Sequence, residues 1–296
     1  GGRRARGQRA GGKGRRARKR ARVSVWITGR EPRSVQMGRP AAASVALALA
    51  ASSALAYAVH HLLVTRRPKR RRRCGTLWAS PVSTCSRRVI LALEEAETCD
   101  YVLEPIDLLK REHKSAHFIA MQPYGKVPVW SERDGPLLLF ESRAIMRHVA
   151  AGSHLIPSDP ALVALMDQWI SVEYSYFYPE FLPLFHERVL SRIYKGSNYK
   201  PDDAVCAARV AALEPTLDLL EHHLSSTGGP YLVGSYSLAD VTFTPYLDVM
   251  GACRLSEQIQ ARPALAAWIE RCLARPAWRY CLDGTVMNRV RQETLG

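Results

Sequence analysis

The sequence predicts a thin α/β domain over residues 75–152 followed by an all-helical domain over 160–282. Three observations carry this. Short apolar runs alternate with helical patterns up to about residue 150, which is the signature of an α/β unit. Beyond Pro160 no run reads as a strand, and apolar residues recur at helical spacing. The charge is also segregated. Residues 1–78 hold 21 of the 42 Lys and Arg but only one acid, Glu31, whereas the rest carries 21 basic against 26 acidic side chains, a net of −5. The formal +15 therefore belongs to the N-terminal extension and says nothing for nucleic acid binding by the folded part.

Residues 1–36 are rich in Arg and Gly and have too few apolar side chains to build a core. Met37 is the first methionine, so the expectation is a disordered basic arm or upstream sequence. An Arg/Gly arm could also touch RNA, but no nucleic acid partner is expected of the protein. Residues 41–65, "AAASVALALAASSALAYAVHHLLVT", carry no Asp, Glu, Lys or Arg and are long enough to cross a bilayer as a helix. The basic block "RRPKRRRR" follows, and the positive-inside bias would keep the C-terminal domain in the cytosol. The segment 37–74 thus reads as a membrane anchor with a basic linker. A cleaved secretory or organelle leader competes with that reading, and the basic block alone could serve as a nuclear signal or a lipid-surface patch. The seven cysteines are scattered, odd in number and without a CxxC pair. They offer no metal or disulfide framework and suit a reducing compartment.

Within the α/β unit, "GTLWAS" reads as a strand and "TCSRRVILALEEAE" as a helix with Val89, Ile90, Leu93 and Ala96 on one face. "DYVLEPIDL" is a second strand and "REHKSAHFIAM" a short helix. "KVPVWS" and "PLLLFE" flank the turn "ERDG" as a hairpin, and "SRAIMRHVAA" closes the unit as a helix capped by Ser142. Four long helical segments follow, beginning near 161, 202, 237 and 263. "SLAD", with Ser237 and Asp240 three apart, is a capping-box start assigned to folding. Residues 283–296 are a tail.

The helix after the first strand opens on Ser83, Thr84 and Cys85, three side chains able to meet a thiol. A hydroxyl donating to a thiolate beside a helix N-terminus favours the charged form. A cysteine there would instead form a mixed disulfide and favour thiol transfer or dehydroascorbate reduction. Two residues along a helix turn a side chain by about 200°, so Ser83 and Cys85 can share one sulfur only if Ser83 lies in the loop before the helix, after Pro81. Ser83 is the preferred candidate, Cys85 the alternative, and Thr84 remains open. Pro128 in "GKVPV" stands where a strand begins. A cis Val127–Pro128 bond there would turn the Val127 backbone outward to pair with a peptide ligand. Glu141 and Ser142 stand at a helix N-terminus, where N–H groups suit a carboxylate and Glu141 an ammonium. Tyr174, Tyr176, Phe177, Tyr178 and Phe181 could wall an apolar pocket.

Taken in order, Ser at a helix start, "PYGKVPV", "LFESRAI" and "YLVGSYSLADVTFTPYL" resemble the soluble glutathione transferases, most closely the phi class, over about residues 75–282. The resemblance implies a thioredoxin-like N-terminal domain and a helical domain bearing the electrophile pocket, with Tyr174 and Tyr178 as candidate walls. It implies glutathione as co-substrate and no metal, with Ser83 in the register of the catalytic serine and Cys85 where the bacterial beta class places its cysteine. It also implies that Val127 and Pro128 hold the cysteinyl unit, Glu141 and Ser142 the γ-glutamyl head, and His113, Lys114 and Lys126 the glycyl carboxylate. Lys126 stands where the family often has Gln. The implied activity is conjugation of glutathione to apolar electrophiles or reduction of organic hydroperoxides, in detoxification and stress response, by a homodimer. A non-catalytic, transferase-like interaction module is the competing class.

Overall fold

The computed structural model describes residues 73–196 and 198–282. The expected basic arm, the 41–65 anchor, most of the basic linker and the 283–296 tail lie outside the described residues. Among the described residues, no helix is long and apolar enough to cross a membrane.

The α/β part runs β1 (Arg73–Ala79), α1 (Thr84–Ala96), β2 (Asp100–Pro105), a 3-10 turn (Glu112–Lys114), α2 (Ala116–Met121), β3 (Val129–Glu132), β4 (Leu138–Phe140) and α3 (Ser142–Val149). The four strands form one sheet in the order β2-β1-β3-β4. β1 pairs with β2 in parallel (Leu77 beside Leu103) and with β3 antiparallel (Leu77 beside Trp130). β3 pairs antiparallel with β4, setting Val129 beside Phe140. This is a thioredoxin-like domain. Leu77, Val89, Ile90, Leu93, Trp130, Ile145 and Met146 fill the space between sheet and helices. The single helix expected over 111–121 is divided, because the Ser115 hydroxyl caps a fresh helix by accepting from Phe118 N. Ser142 is not the cap of α3. Glu141 occupies that position, with φ +73°, and Ser142 is the first helical residue.

The helical part begins with one helical stretch from Pro160 to Lys195. It comprises α4 (Pro160–Val172), a π turn (Glu173–Phe177), α5 (Tyr178–Phe185), a second π turn (His186–Leu190) and α6 (Ser191–Lys195). Pro179 and Pro183 cannot donate to the helical ladder, and the wider π turns flank the segment that holds them. α7 (Asp203–Thr227) starts on an Asp202 cap that accepts from Ala204 N and Val205 N, and ends at Gly228 with φ +64°. α8 (Leu238–Leu247) is buried on every side, as the central helix of a bundle must be. α9 (Ser256–Gln260), α10 (Pro263–Leu273) and α11 (Pro276–Leu282) complete it.

The capping box at Ser237 is formed. Asp240, fully buried, accepts from Ser237 N (2.9 Å), Leu232 N (3.1 Å) and Trp268 Nε1 (2.8 Å). Burial raises its pKa against those hydrogen bonds, which act to lower it. Asp240 thereby ties the start of α8 to the preceding loop and to α10.

Candidate active site

The sheet topology gathers the candidate residues at one end. β1 leaves the sheet at Ala79, beside the start of β3, and the end of β4 lies next to that. The Ser80–Ser83 loop, the Val127–Pro128 pair and Glu141–Ser142 therefore share an edge.

Ser83 sits in extended backbone (φ −85°, ψ 124°) as the N-cap of α1, outside the helix. Its N–H donates to Ser80 O at 2.9 Å, and its Oγ accepts from Ser86 N at 3.3 Å. Among the described residues the hydroxyl has no acceptor for its own hydrogen, which stays available to an anion at the helix end. Cys85, in the first turn of α1, lies within electrostatic reach of Arg88 and of Tyr178 and Tyr246 in the helical part. Ser83 lies in the loop before the helix, the placement that lets both candidates stand at one helix end, and among the described residues the Thr84 side chain has no hydrogen-bond partner.

Val127–Pro128 is cis. Among the described residues neither the N–H nor the C=O of Val127 has a backbone partner, so this short edge is open to an extended peptide. His113 and Lys114, on the 3-10 turn, lie against the loop that leads into the cis bond. Lys114 Nζ donates to Tyr124 O (3.0 Å) and Gly125 O (2.8 Å), and Lys126 N donates to Gln122 Oε1 (3.3 Å). Gly125 has φ +56°, and a Cβ there would meet His113 O at 2.7 Å, so the loop needs glycine. Among the described residues His113 Nδ1 is buried without a partner, and burial, with Lys114 and Arg111 beside it, holds the imidazole below its ordinary 6.5. His113 and Lys114 thus lie against the loop that leads into Val127–Pro128, and Lys126 is part of that loop.

Glu141 is exposed at its strained positive φ, a conformation that costs on the order of 1–3 kcal/mol and tends to mark functional sites. Behind it stands a network that the sequence did not disclose. Arg88, completely buried in α1, donates to Ser142 Oγ (3.0 Å), Tyr246 OH (2.9 Å), Glu173 Oε1 (3.2 Å) and Thr242 O (3.1 Å). Glu173, also completely buried, takes a second partner from Arg143 Nε at 2.8 Å. Burial by itself would pull the Arg88 guanidinium down, but Tyr246 and Glu173 outweigh it and the pKa rises. One signal could have found this: Arg88 falls on the helix face that also carries Leu91, Ala92 and Glu95, all buried.

Phe177 and Phe181 do not wall a pocket. Both are fully buried and stack on one another, with Phe243 and Tyr246 against them. Tyr174 is exposed and Tyr178 half-buried against the core, the two rings stacked at 6.2 Å, with the Arg143 guanidinium 4.5 Å from the Tyr174 ring. Tyr176 is exposed. Among the described residues, no group of three or more His, Cys, Asp and Glu is placed to hold a metal ion.

Comparison with known proteins agrees with this geometry. Residues 82–151 match the family model for the glutathione S-transferase N-terminal domain, and residues 180–276 the one for its C-terminal domain. The chain belongs to the glutathione S-transferase family. A glutathione S-transferase of Hyoscyamus muticus is 33% identical over 208 residues, covering 68% of this chain and 94% of the relative. Glutathione S-transferase APIC of Nicotiana tabacum is 35% identical over 205 residues, covering 67% and 92%. Among solved structures, glutathione transferase F7 from Populus trichocarpa superposes with a TM-score of 0.65 at 32% identity, over 71% of this chain and 98% of that one. Maize glutathione S-transferase I, solved with an atrazine–glutathione conjugate, gives 0.63 at 28% identity, over 73% and 98%. These relatives are plant glutathione transferases of the phi class, the class to which the chain is most similar.

Proposed function

We propose that this transferase uses Ser83 to hold glutathione as its thiolate and conjugates it to apolar electrophiles, as part of detoxification. What supports this reading is a single juxtaposition. Ser83, with an undonated hydroxyl at the N-terminus of α1, shares one sheet end with the open cis Val127–Pro128 edge and with Glu141–Ser142. A glutathione laid along that edge would pair its cysteinyl backbone with Val127. Its γ-glutamyl carboxylate would meet Ser142 and the N-terminus of α3, its ammonium Glu141, and its glycyl carboxylate His113, Lys114 and Lys126. The sulfur then comes to the Ser83 hydroxyl and the positive end of α1, both of which favour S⁻ over SH. A free thiol ionises near 8.5, so a lowered pKa raises the nucleophilic fraction at neutral pH without a proton-accepting base. The sulfur lone pair attacks the electrophile, and the leaving group departs with the displaced electrons.

The electrophile would lie against Tyr174 and Tyr178. The homodimer implied by the resemblance would cover Tyr124, Leu138 and Phe140, which are exposed beside the β4 edge, Tyr124 meeting Phe140 edge-on at 6.5 Å. Cytoplasmic residence of the folded part, with or without an anchor at 41–65, belongs to the same reading, and seven cysteines all present as thiols suit it.

The test is conjugation of glutathione to a chlorinated nitrobenzene, followed against pH for wild type, Ser83→Ala and Cys85→Ala. Ser83→Ala should lose rate on the order of 100-fold, with the apparent pKa of the rate moving up towards that of free thiol. Cys85→Ala should keep its rate. The reverse pattern transfers the chemistry to Cys85 and to disulfide or dehydroascorbate substrates. A wild-type protein that neither conjugates nor stays on a glutathione column is an interaction module.

A further inference from the structure

Ser83 closes a β-turn. Ser80 to Ser83 are its four residues, with Pro81 where a fixed φ suits the turn, and Ser83 N donates to Ser80 O at 2.9 Å. Two successive residues of α1 hold that turn. Ser86, completely buried, accepts through Oγ from Ser80 N at 3.1 Å, while its own N–H donates to Ser83 Oγ at 3.3 Å. Arg87 Nε donates to Pro81 O at 2.6 Å, and Arg87 N to Ser83 O at 2.9 Å. Pro81 O is the carbonyl of the turn's central peptide. Val82 offers no anchor there, because its side chain is exposed and among the described residues its N–H has no backbone acceptor. The Arg87 guanidinium is held in turn from the helical part, with Nη1 3.7 Å from Asp248 Oδ2 at the end of α8. The neighbouring Arg88 sends its side-chain hydrogen bonds to Thr242, Ser142, Glu173 and Tyr246, none of them in the turn.

We propose that Arg87 is a positioning residue for glutathione activation, bracing the Pro81 carbonyl against Asp248 so that the Ser83 hydroxyl is held where it meets the sulfur. The proposal rests on the reading of Ser83 as the donor to the thiolate. A hydrogen bond weakens steeply with misalignment, so a hydroxyl on an unbraced turn favours S⁻ less than the same hydroxyl held still. The turn can lose its shape in two ways. Flipping its central peptide needs positive φ at Val82, a β-branched residue that resists it and does not adopt it here. Swinging outward is opposed by Ser86 and Arg87, and of the two only Arg87 reaches the central peptide and ties it to the helical part. Without Arg87 the turn hangs on Ser80 and Ser83 alone. The hydroxyl then spends part of its time away from the sulfur, and the thiol pKa rises towards the free value near 8.5. The Val127–Pro128 edge and Glu141–Ser142 make no contact with Arg87, so glutathione affinity is kept.

The experiment follows kcat/KM for conjugation to a chlorinated nitrobenzene against pH in the full chain, for wild type, Arg87→Met, Ser83→Ala and the double variant, with Tm recorded for each. Arg87→Met is expected to raise the apparent pKa by about one unit, cutting the rate about tenfold below that pKa and leaving it unchanged well above. KM for glutathione should stay in place. Arg87→Lys, with one donor for the Pro81 carbonyl, should fall between wild type and Arg87→Met. In the Ser83→Ala background Arg87→Met should add no shift, because it acts through that hydroxyl. A lowered Tm with an unmoved pKa makes Arg87 a structural residue only and overturns the proposal. A shift that persists without the Ser83 hydroxyl means that the guanidinium acts on the sulfur by its charge, and overturns it too. If Ser83→Ala itself leaves the pKa of wild type, the thiolate reading fails and this one with it; if Ser83→Ala shifts and Arg87→Met does not, this one fails alone. Asp248→Asn keeps Arg87 but releases its outer end, and should shift the pKa the same way by less. Should Arg87→Met fail to fold, an unshifted Asp248→Asn overturns the proposal by itself.

Discussion

Replacing Arg88 by Met removes a buried cation and keeps much of the side-chain volume. Four groups lose their donor: Glu173 Oε1, Ser142 Oγ, Tyr246 OH and the Thr242 carbonyl. Removing one member of a buried ion pair costs about 3–5 kcal/mol, chiefly through the charge left behind. Here Glu173 keeps Arg143, so the lower end applies and Arg88→Met should cost about 3 kcal/mol. Glu173→Gln is the harsher change. It strands a completely buried guanidinium among neutral groups, and about 5 kcal/mol is expected. The double variant should fall short of the summed losses by about 2 kcal/mol, within the usual range for side chains in one network. Urea midpoints at constant slope measure the three values. Steady-state kinetics adds an independent reading, because Ser142 loses the donor that orients it. KM for glutathione should rise in Arg88→Met while kcat moves less. A single-variant cost under about 1 kcal/mol, or strict additivity in the double, would refute the reasoning.

Three further outcomes are expected. Asp240→Ala leaves the N–H groups of Leu232, Ser237 and Trp268 buried without acceptors; at about 1 kcal/mol or more each, a urea titration should show a loss near 3 kcal/mol, and a loss under about 1 would count against the capping role. Burial and the neighbouring cations hold His113 below 6.5, so the folded protein binds its proton less readily than the unfolded chain. Stability from this group is present above that pH and lost as pH falls through the depressed pKa. His113→Gln should therefore flatten the decline in Tm between about pH 7 and about pH 5, and an unchanged decline speaks against it. Tyr178→Ala should raise KM for an aromatic electrophile and leave KM for glutathione in place; movement of both together would put Tyr178 outside the electrophile subsite.

The sequence disclosed the parts of this site that are backbone. Pro128 at a strand start, a serine ahead of an amphipathic helix and Glu-Ser at another are local signals, and their convergence follows from a strand order that a β-α-β then β-β pattern already restricts. It did not disclose the side chains meeting across the two halves. Arg88 reads as half of an ordinary "RR" pair, and Glu173 as a surface acid among tyrosines. Their burial depends on where α8 packs and on the π turn beginning at Glu173, and neither has a sequence period. The same shift put Phe177 and Phe181 inside, left Tyr174 exposed and set Tyr178 half-buried, which aromatic spacing alone cannot sort. Glu141 shows a third limit: a strained φ on a non-glycine residue is set by its surroundings, so a serine beside it is mistaken for the cap.

Helix α1 is gripped along its length. Its N-terminus carries Ser83, its middle is bolted through Arg88 to α8 and Glu173, and Glu95 near its end is clasped by the α10–α11 junction, through Arg275 Nε and Nη2 at 2.5 and 2.6 Å. A helix owned by both halves leaves neither free to melt alone. Calorimetry should give one transition whose van't Hoff and calorimetric enthalpies agree, despite two recognisable domains. Amide exchange in the middle of α1 should then be as slow as the slowest in α8, because releasing it requires opening the whole molecule.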